Sequence, residues 1–391
     1  MTASGRACAL GRAGFARQSA PGLDTPLIGG KPAALDQAIG AAAAILRGAA
    51  QPLIGGLGTD VAGMRAAVEL ADRCGAVLDH ANSGAKFRNL LAFQDRGAIT
   101  TTLSEIRNRA DLFVVLGTDV VSRFPRFFER VAAPEQTLFG LKNADRRSVF
   151  VGAAPPPDAP GPVEAIACET RDLPDLLSAL SALAAGASLN AAHAGKVPIG
   201  VVQSLADRMA AARYGVIVWA AADLDFAHAE LTVAAINRLL MTLNRTTRFS
   251  AVPLGGNEAD LTADAVLLWQ VGFPFRTRFA SGHAEYDPYL FDARRMLAQG
   301  EADAVVWLSA LSDLSVPPTL GAPLILLSGP NAAAARRADV FFPVGTPGID
   351  HPGHLVRTDK VLTMRLSATR RPQLAAVSTI LRSISEAMKA C

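Results

Sequence analysis

Short apolar runs recur along this chain, each bounded by glycine, proline or a capping residue and followed by a stretch with helical spacing. QPLIGGLG (51–58) reads as a buried strand. Asp60 then caps a helix from Val61 to Cys74, whose Val61, Met64, Val68 and Ala71 share one face. Gly75 ends that helix and residues 76–79 begin a second buried strand, giving a β-α-β unit with parallel strands. An alanine-rich helix over 34–46 precedes it, with Asp36 in the first turn, where the helix dipole favours an acid. The pattern repeats: Ser104 is expected to cap a helix leading into the strand DLFVVLGTD (111–119), and RSVFVGA (147–153) is another strand. Helices over 173–185, 201–212 and 228–243 alternate with strands at 214–220 and 247–254. ADAVVWLSA (302–310), APLILLS (322–328) and ADVFFPV (338–344) complete the series. Some eight strands apolar on both faces, alternating with helices, predict α/β architecture with mostly parallel sheets. So many strands, interrupted by the linker-like PPPDAPGP (155–162), predict two doubly wound sheets rather than one.

Length and composition agree with that picture. The chain has 391 residues, half of them apolar, with a net charge of +3 at neutral pH. So small an excess over this length leaves no electrostatic footprint for nucleic acid or an anionic membrane. The longest uncharged stretch, 314–335, carries four prolines and two glycines. It reads as two buried strands with turns, not a membrane helix. Residues 1–33 show no periodicity and are expected to form an extended arm; no signal peptide is visible, so a cytoplasmic location is expected. Cys8, Cys74, Cys168 and Cys391 are widely separated, and nothing in their spacing suggests zinc or an iron–sulfur cluster.

General catalytic motifs are missing. GLGTDVAG (56–63) has Val61 where a dinucleotide fingerprint needs its third glycine, and GGKPA (29–33) and AGKVP (194–198) lack the rest of a P-loop. HPGH (351–354) is expected to be a surface turn, because Pro352 and Gly353 prevent a helical ligand pair. His80 and His193 lie at element ends, where exposure is expected. GFPFRTRFASGHAEYDPYLFDARRML (272–297) has little periodicity, and Arg276, Arg278 and His283 offer donors to an anionic ligand or a partner's carboxylate. It reads either as a packed loop or as a binding loop.

That segment resembles one in the B subunit of formylmethanofuran dehydrogenase. QPLIGGLGTDVAGMRAAVELADRCGAVLD (51–79) and DLFVVLGTDVVSRFPRFFER (111–130) are similar to further segments of the same family, with Pro125, Arg126 and Arg130 in place. The resemblance is collinear over most of the chain. It implies the formate dehydrogenase-like fold of molybdenum- or tungsten-pterin oxidoreductases. It also implies a nested organisation: an arm over 1–33, a first α/β domain from 34–84 and 296–391, and an inserted domain over 85–295.

The departures from the family bear on function. On the simplest alignment the metal-ligand cysteine falls on Ala85 and the following histidine on Lys86, within HANSGAKFRN (80–89). Alanine offers a metal no donor, and Cys8 alone cannot hold a [4Fe–4S] cluster. No cluster and no molybdenum or tungsten pterin is therefore expected in this chain. Asn82, Ala85, Lys86, Arg126, Arg276 and His283 would line a vestigial pterin and metal pocket, with no catalytic residue among them. This loss resembles the B subunits of the formyltransferase/hydrolase complexes of methylotrophs. The resemblance implies a non-catalytic subunit beside an amidohydrolase-like hydrolase, a formyltransferase and a further subunit. Zinc and methanofuran would belong to those partners. Such a complex moves a formyl group from formyl-tetrahydromethanopterin to methanofuran and releases formate. A working oxidoreductase with unusual ligands, or a standalone ligand-binding α/β protein, are the alternatives. Arg276, Arg278 and Tyr286 are the first candidates for lining a covered cleft, and Phe124, Phe127 and Phe128 for partner contact.

Overall fold

The computed structural model describes residues 8–18, 22–156, 162–312, 321–371 and 374–389. Most of the linker-like stretch and part of the uncharged stretch near 314 lie outside them. The chain forms two compact units: one takes residues 11–84 and 256–391, the other residues 8–10 and 85–255.

The first unit is built on a nine-stranded sheet. Its centre is five parallel strands in the order Val77–His80, Pro52–Gly58, Ala304–Ser309, Leu324–Ser328 and Val340–Pro343. Counted along the chain this is 2-1-3-4-5, one of the two common doubly wound orders. Alternation along each strand feeds two cores. Ile54, Val306, Leu308, Ile325 and Leu327 face one side, against helices Leu35–Gly48, Val61–Cys74 and Val377–Lys389. Leu53, Val305, Trp307, Leu326 and Phe341 face the other. Both faces are buried, which is why these runs are apolar without a polar alternate. The Val61–Cys74 helix begins as expected: Asp60 accepts a hydrogen bond from the Gly63 N–H, and Gly75 closes the helix in the left-handed conformation.

The second unit carries five parallel strands in the order Phe249–Pro253, Gly215–Trp219, Leu112–Leu116, Arg147–Val151 and Val163–Ile166. Within the unit this is 5-4-1-2-3, the Rossmann order read from its far edge. Helices Leu173–Ala184, Ile199–Ala211 and Glu230–Leu243 cover one face, and helix Leu103–Arg109 with the turn Phe128–Ala132 covers the other.

Several expectations need correction. The second unit ends at residue 255, not 295. Residues 256–295 return to the first unit because helix Asp260–Val271 packs on helix Val61–Cys74, and Thr277–Arg278 pairs antiparallel with Val77–Leu78. The stretch 272–297 is not a plain loop: it holds two short strands and the helix Ala293–Ala298. Residues 1–33 are not simply an extended arm. Ala9–Gln18 is helical, and the hairpin Leu27–Ile28/Lys31–Pro32 adds to the sheet edge at Val340–Phe341, where Leu27 is fully buried. Helix Leu103–Arg109 is capped by Thr102, whose Oγ1 accepts from the Glu105 N–H, and not by Ser104. HPGH is no mere surface turn: Gly353–Val356 is a strand paired with Thr363–Leu366, and His351 is half-buried against the Gly345 carbonyl. Among the described residues, no helix is long and apolar enough to cross a membrane.

Candidate functional site

In a doubly wound sheet, ligands gather outside the carboxyl ends of the strands. In the first unit, strand Val77–His80 ends there in two ionisable side chains, Asp79 and His80, both almost fully buried. The expectation of an exposed His80 is therefore wrong. Helix Asp260–Val271 covers the strand end, and His80 Nε2 donates to Asp264 Oδ1 at 2.9 Å. The Asn82 N–H donates to Nδ1 at 3.1 Å, which leaves the ring proton on Nε2. Burial disfavours a charged ring, but Asp264, then Asp260 and Asp79, outweigh it and raise the His80 pKa. Lys360 Nζ stands 3.9 Å from the other Asp264 oxygen. Asn82 Nδ2 reaches the Asn257 carbonyl and Asp260 Oδ2, each at 3.3 Å.

Asp79 faces a second cluster. Its Oδ2 accepts from Ser83 Oγ at 2.8 Å and from the Ala293 N–H at 2.9 Å. The buried Arg276 guanidinium lies 3.8 Å from it and also engages Ser83, Asp292 and the Pro288 carbonyl. Burial pushes the Asp79 carboxyl up to about 6, against the pull of His80 and Arg276. Arg276 holds a left-handed φ of 49°, which costs a non-glycine residue roughly 1–2 kcal/mol. The contacts of its side chain hold that conformation in place. Most donors in both clusters are used on one another, but Asp79 Oδ1 is buried without a hydrogen-bond partner. The arrangement ties helix 260–271 and segment 276–293 to one strand end, and the Ser83 hydroxyl is held between Asp79 and the Arg276 guanidinium.

Only some of the sequence candidates come together here. Asn82 and Arg276 both join this polar network. His283 is exposed, with its ring 3.8 Å from Glu285. Ala85 and Lys86 do not lie in a loop: helix Ser83–Arg96 takes them into its first turn. Arg126, in the second unit, forks onto Glu129 at 3.0 and 2.6 Å. Tyr286 is half-buried and stacks on Phe273. Phe127 and Phe128 are core residues, Phe128 against Phe150, which corrects their expected role as contact residues. Sequence reading missed Asp79, Asp260 and Asp264. The one signal, for Asp79, was an apolar strand, VLDH, closing on two ionisable residues; nothing local marks Asp260 and Asp264.

The second unit has a cleft of about 410 Å³ at the carboxyl ends of strands Leu112–Leu116 and Arg147–Val151, lined by Gly117–Asp119, Ser122 and Gly152–Pro156. Asp119 caps the short helix beside it and accepts from Ser122, which lowers its pKa. A carboxylate at that helix start occupies the place an anionic group would take.

The donors on the chain do not fit a thiolate-bound metal. Ala85 supplies no ligand atom. Burial pushes the Cys74 and Cys168 thiols up to about 11, so neither is a ready thiolate. Among the described residues no three His, Cys, Asp or Glu side chains are grouped to hold a metal ion.

No family model matches the sequence. The chain is 31% identical over 322 residues to the B subunit of the formyltransferase/hydrolase complex Fhc of Methylorubrum extorquens, covering 82% of this chain and 84% of that protein. It is 25% identical over 333 residues to the B subunit of tungsten-containing formylmethanofuran dehydrogenase 2 of Methanocaldococcus jannaschii, covering 83% and 77%. The crystal structure of the FhcABCD complex of Methylorubrum extorquens with methylofuran contains a chain that superposes with a TM-score of 0.79 at 28% identity, covering 93% of this chain and 99% of that one. Acetylene hydratase of Pelobacter acetylenicus shares the fold, with a TM-score of 0.64 at 10% identity, covering 98% and 64%. With nearly a third of its residues identical over more than four-fifths of both sequences, this chain belongs to the family of formyltransferase/hydrolase complex B subunits.

Proposed function

We propose that the chain is a non-catalytic, structural subunit of a cytoplasmic formyltransferase/hydrolase complex. That complex would move a formyl group from formyl-tetrahydromethanopterin to methanofuran and hydrolyse it to formate, in one-carbon metabolism. Membership of the B-subunit family carries this reading. The chemistry of the chain supports its non-catalytic part: alanine stands where a metal ligand is needed, the Cys74 and Cys168 thiols are held protonated by burial, and His80 is bound to Asp264. An oxidoreductase would need a soft thiolate donor and an electron relay, and neither has ligands here. Formyl transfer and hydrolysis would therefore belong to the other subunits, together with the zinc and the methanofuran. The N-terminal residues and the exposed apolar side chains of this chain are kept for assembly.

Co-expression with the other subunits tests the reading. The chain should elute in one large assembly without stoichiometric molybdenum, tungsten or iron. Elemental analysis finding any of these at one per chain overturns the non-catalytic role. Full formyl transfer and hydrolysis by the other subunits in its absence, with the chain running as a stable monomer, overturns the structural role.

A further inference from the structure

We propose that the hairpin Gly353–Val356/Thr363–Leu366 is a docking arm that seats on a protein subunit whose surface offers an apolar patch edged by carboxylates. The proposal rests on the reading of this chain as an assembled subunit and names the surface that does the assembling. Among the described residues the two strands pair only with each other, so each has an outer edge outside any larger sheet. A lone two-stranded hairpin is marginal in water. This one is held at its base by the rest of the unit. The Val356 N–H donates to Thr262 Oγ1 at 3.0 Å, and strand Gly353–Val356 packs on helices Val61–Cys74 and Asp260–Val271. Its connecting turn is also fixed. The Arg357 N–H donates to the Leu362 carbonyl at 3.0 Å, and the Arg357 guanidinium forks onto Asp359, whose side chain is fully buried.

What this ordered arm displays is apolar and basic. Val361, Leu362 and Met364 are 57, 42 and 39% exposed. Residues 354–371 carry five cations: Arg357 pairs with Asp359, Arg370 with the buried Asp350, and Lys360 stands 3.9 Å from Asp264, while the exposed Arg365 and Arg371 supply the basic surface. A rigid element that presents three aliphatic side chains loses little entropy on binding, and cations around them select a partner with acidic borders. Nucleic acid fits less well. The segment has no Phe, Tyr or Trp on which a base could stack, and its aliphatic residues would gain nothing from a phosphate backbone.

The test uses the complex co-expressed with its other subunits. Val361→Ser, Leu362→Ser and Met364→Ser together should reduce the share of this chain in the assembly at least about tenfold. Arg365→Glu alone should weaken assembly less, with a loss that shrinks as salt is added. A photo-crosslinking residue at position 362 should form a covalent adduct with another subunit, a readout independent of any folding defect in the triple variant. If wild-type chain assembles and the triple variant assembles equally well, or position 362 links to no other subunit, the arm proposal falls and the assembly reading stands. If wild-type chain does not assemble, both fall. Tight binding of a fluorescent single-stranded oligonucleotide that the arm variants abolish, with assembly intact, overturns the protein-partner proposal in favour of nucleic acid.

Discussion

Replacing Asp79 by asparagine removes a charge that the fold holds at a disadvantage. The carboxyl is fully enclosed, and burial raises its pKa from 3.8 to about 6. A folded-state pKa above the unfolded value means that the folded chain binds the proton more tightly. The associated stability is complete below about pH 4 and is lost as pH rises through 6. A shift of roughly two units corresponds to about 3 kcal/mol in all, of which about 2 kcal/mol falls between pH 4.5 and 7.5. The substituted amide would still accept from Ser83 and the Ala293 N–H, while Arg276 keeps Asp292 and the Pro288 carbonyl. Arg276 attracts only the ionised carboxylate, and that attraction is already contained in the pKa of about 6. His80 titrates in both chains, and Asp79 is the smallest of the three carboxylate causes of its raised pKa, so the larger part of its contribution cancels. The quantity to read is therefore a double difference. Urea unfolding followed by tryptophan fluorescence should show Asp79→Asn gaining about 2 kcal/mol on wild type between pH 4.5 and 7.5. A double difference below about 1 kcal/mol, or of opposite sign, refutes the argument that burial dominates this carboxylate.

Two further outcomes follow from other parts of the fold. Gly56 has a φ of +73°, and a Cβ there would lie 2.7 Å from the Leu308 carbonyl oxygen and 2.8 Å from the Trp307 ring. Gly56→Ala should cost roughly 2–4 kcal/mol from left-handed strain plus overpacking, seen as a lower urea midpoint at unchanged slope; an unchanged midpoint refutes it. Cys74 and Cys168, with pKa values of about 11, should be only about one part in a thousand ionised at pH 8 and should react with a disulfide reagent far more slowly in the native chain than after unfolding. Their labelling in the native chain at the rate of free cysteine would contradict the burial argument.

Family membership, the wide spacing of the cysteines and the alanine at position 85 are all legible without any coordinates, because each is a matter of which residues stand where. So is the α/β class. Double-sided burial of parallel strands imposes continuous apolar runs such as LFVVL (112–116) and LILLS (324–328), and those runs are local. The caps Asp60 and Gly75 can be read for the same reason, since an N-cap acts within three residues and a left-handed stop within one.

Only the tertiary structure could decide where the second unit ends. Residues 256–295 have no local mark of belonging to the first unit; they join it because Thr277 pairs with Leu78, some two hundred residues earlier. The polar network is hidden for the same reason. His80 meets Asp264 across 184 residues, and Arg276 meets Ser83 across 193. Nothing in the sequence around His80 says that a helix will cover it, so its burial is not legible there. Spacing along the chain reports hydrogen bonds and periodicity within an element. Strand order and helix placement are set by which apolar faces bury each other across the whole unit, and through them the environment of every charge at a strand end.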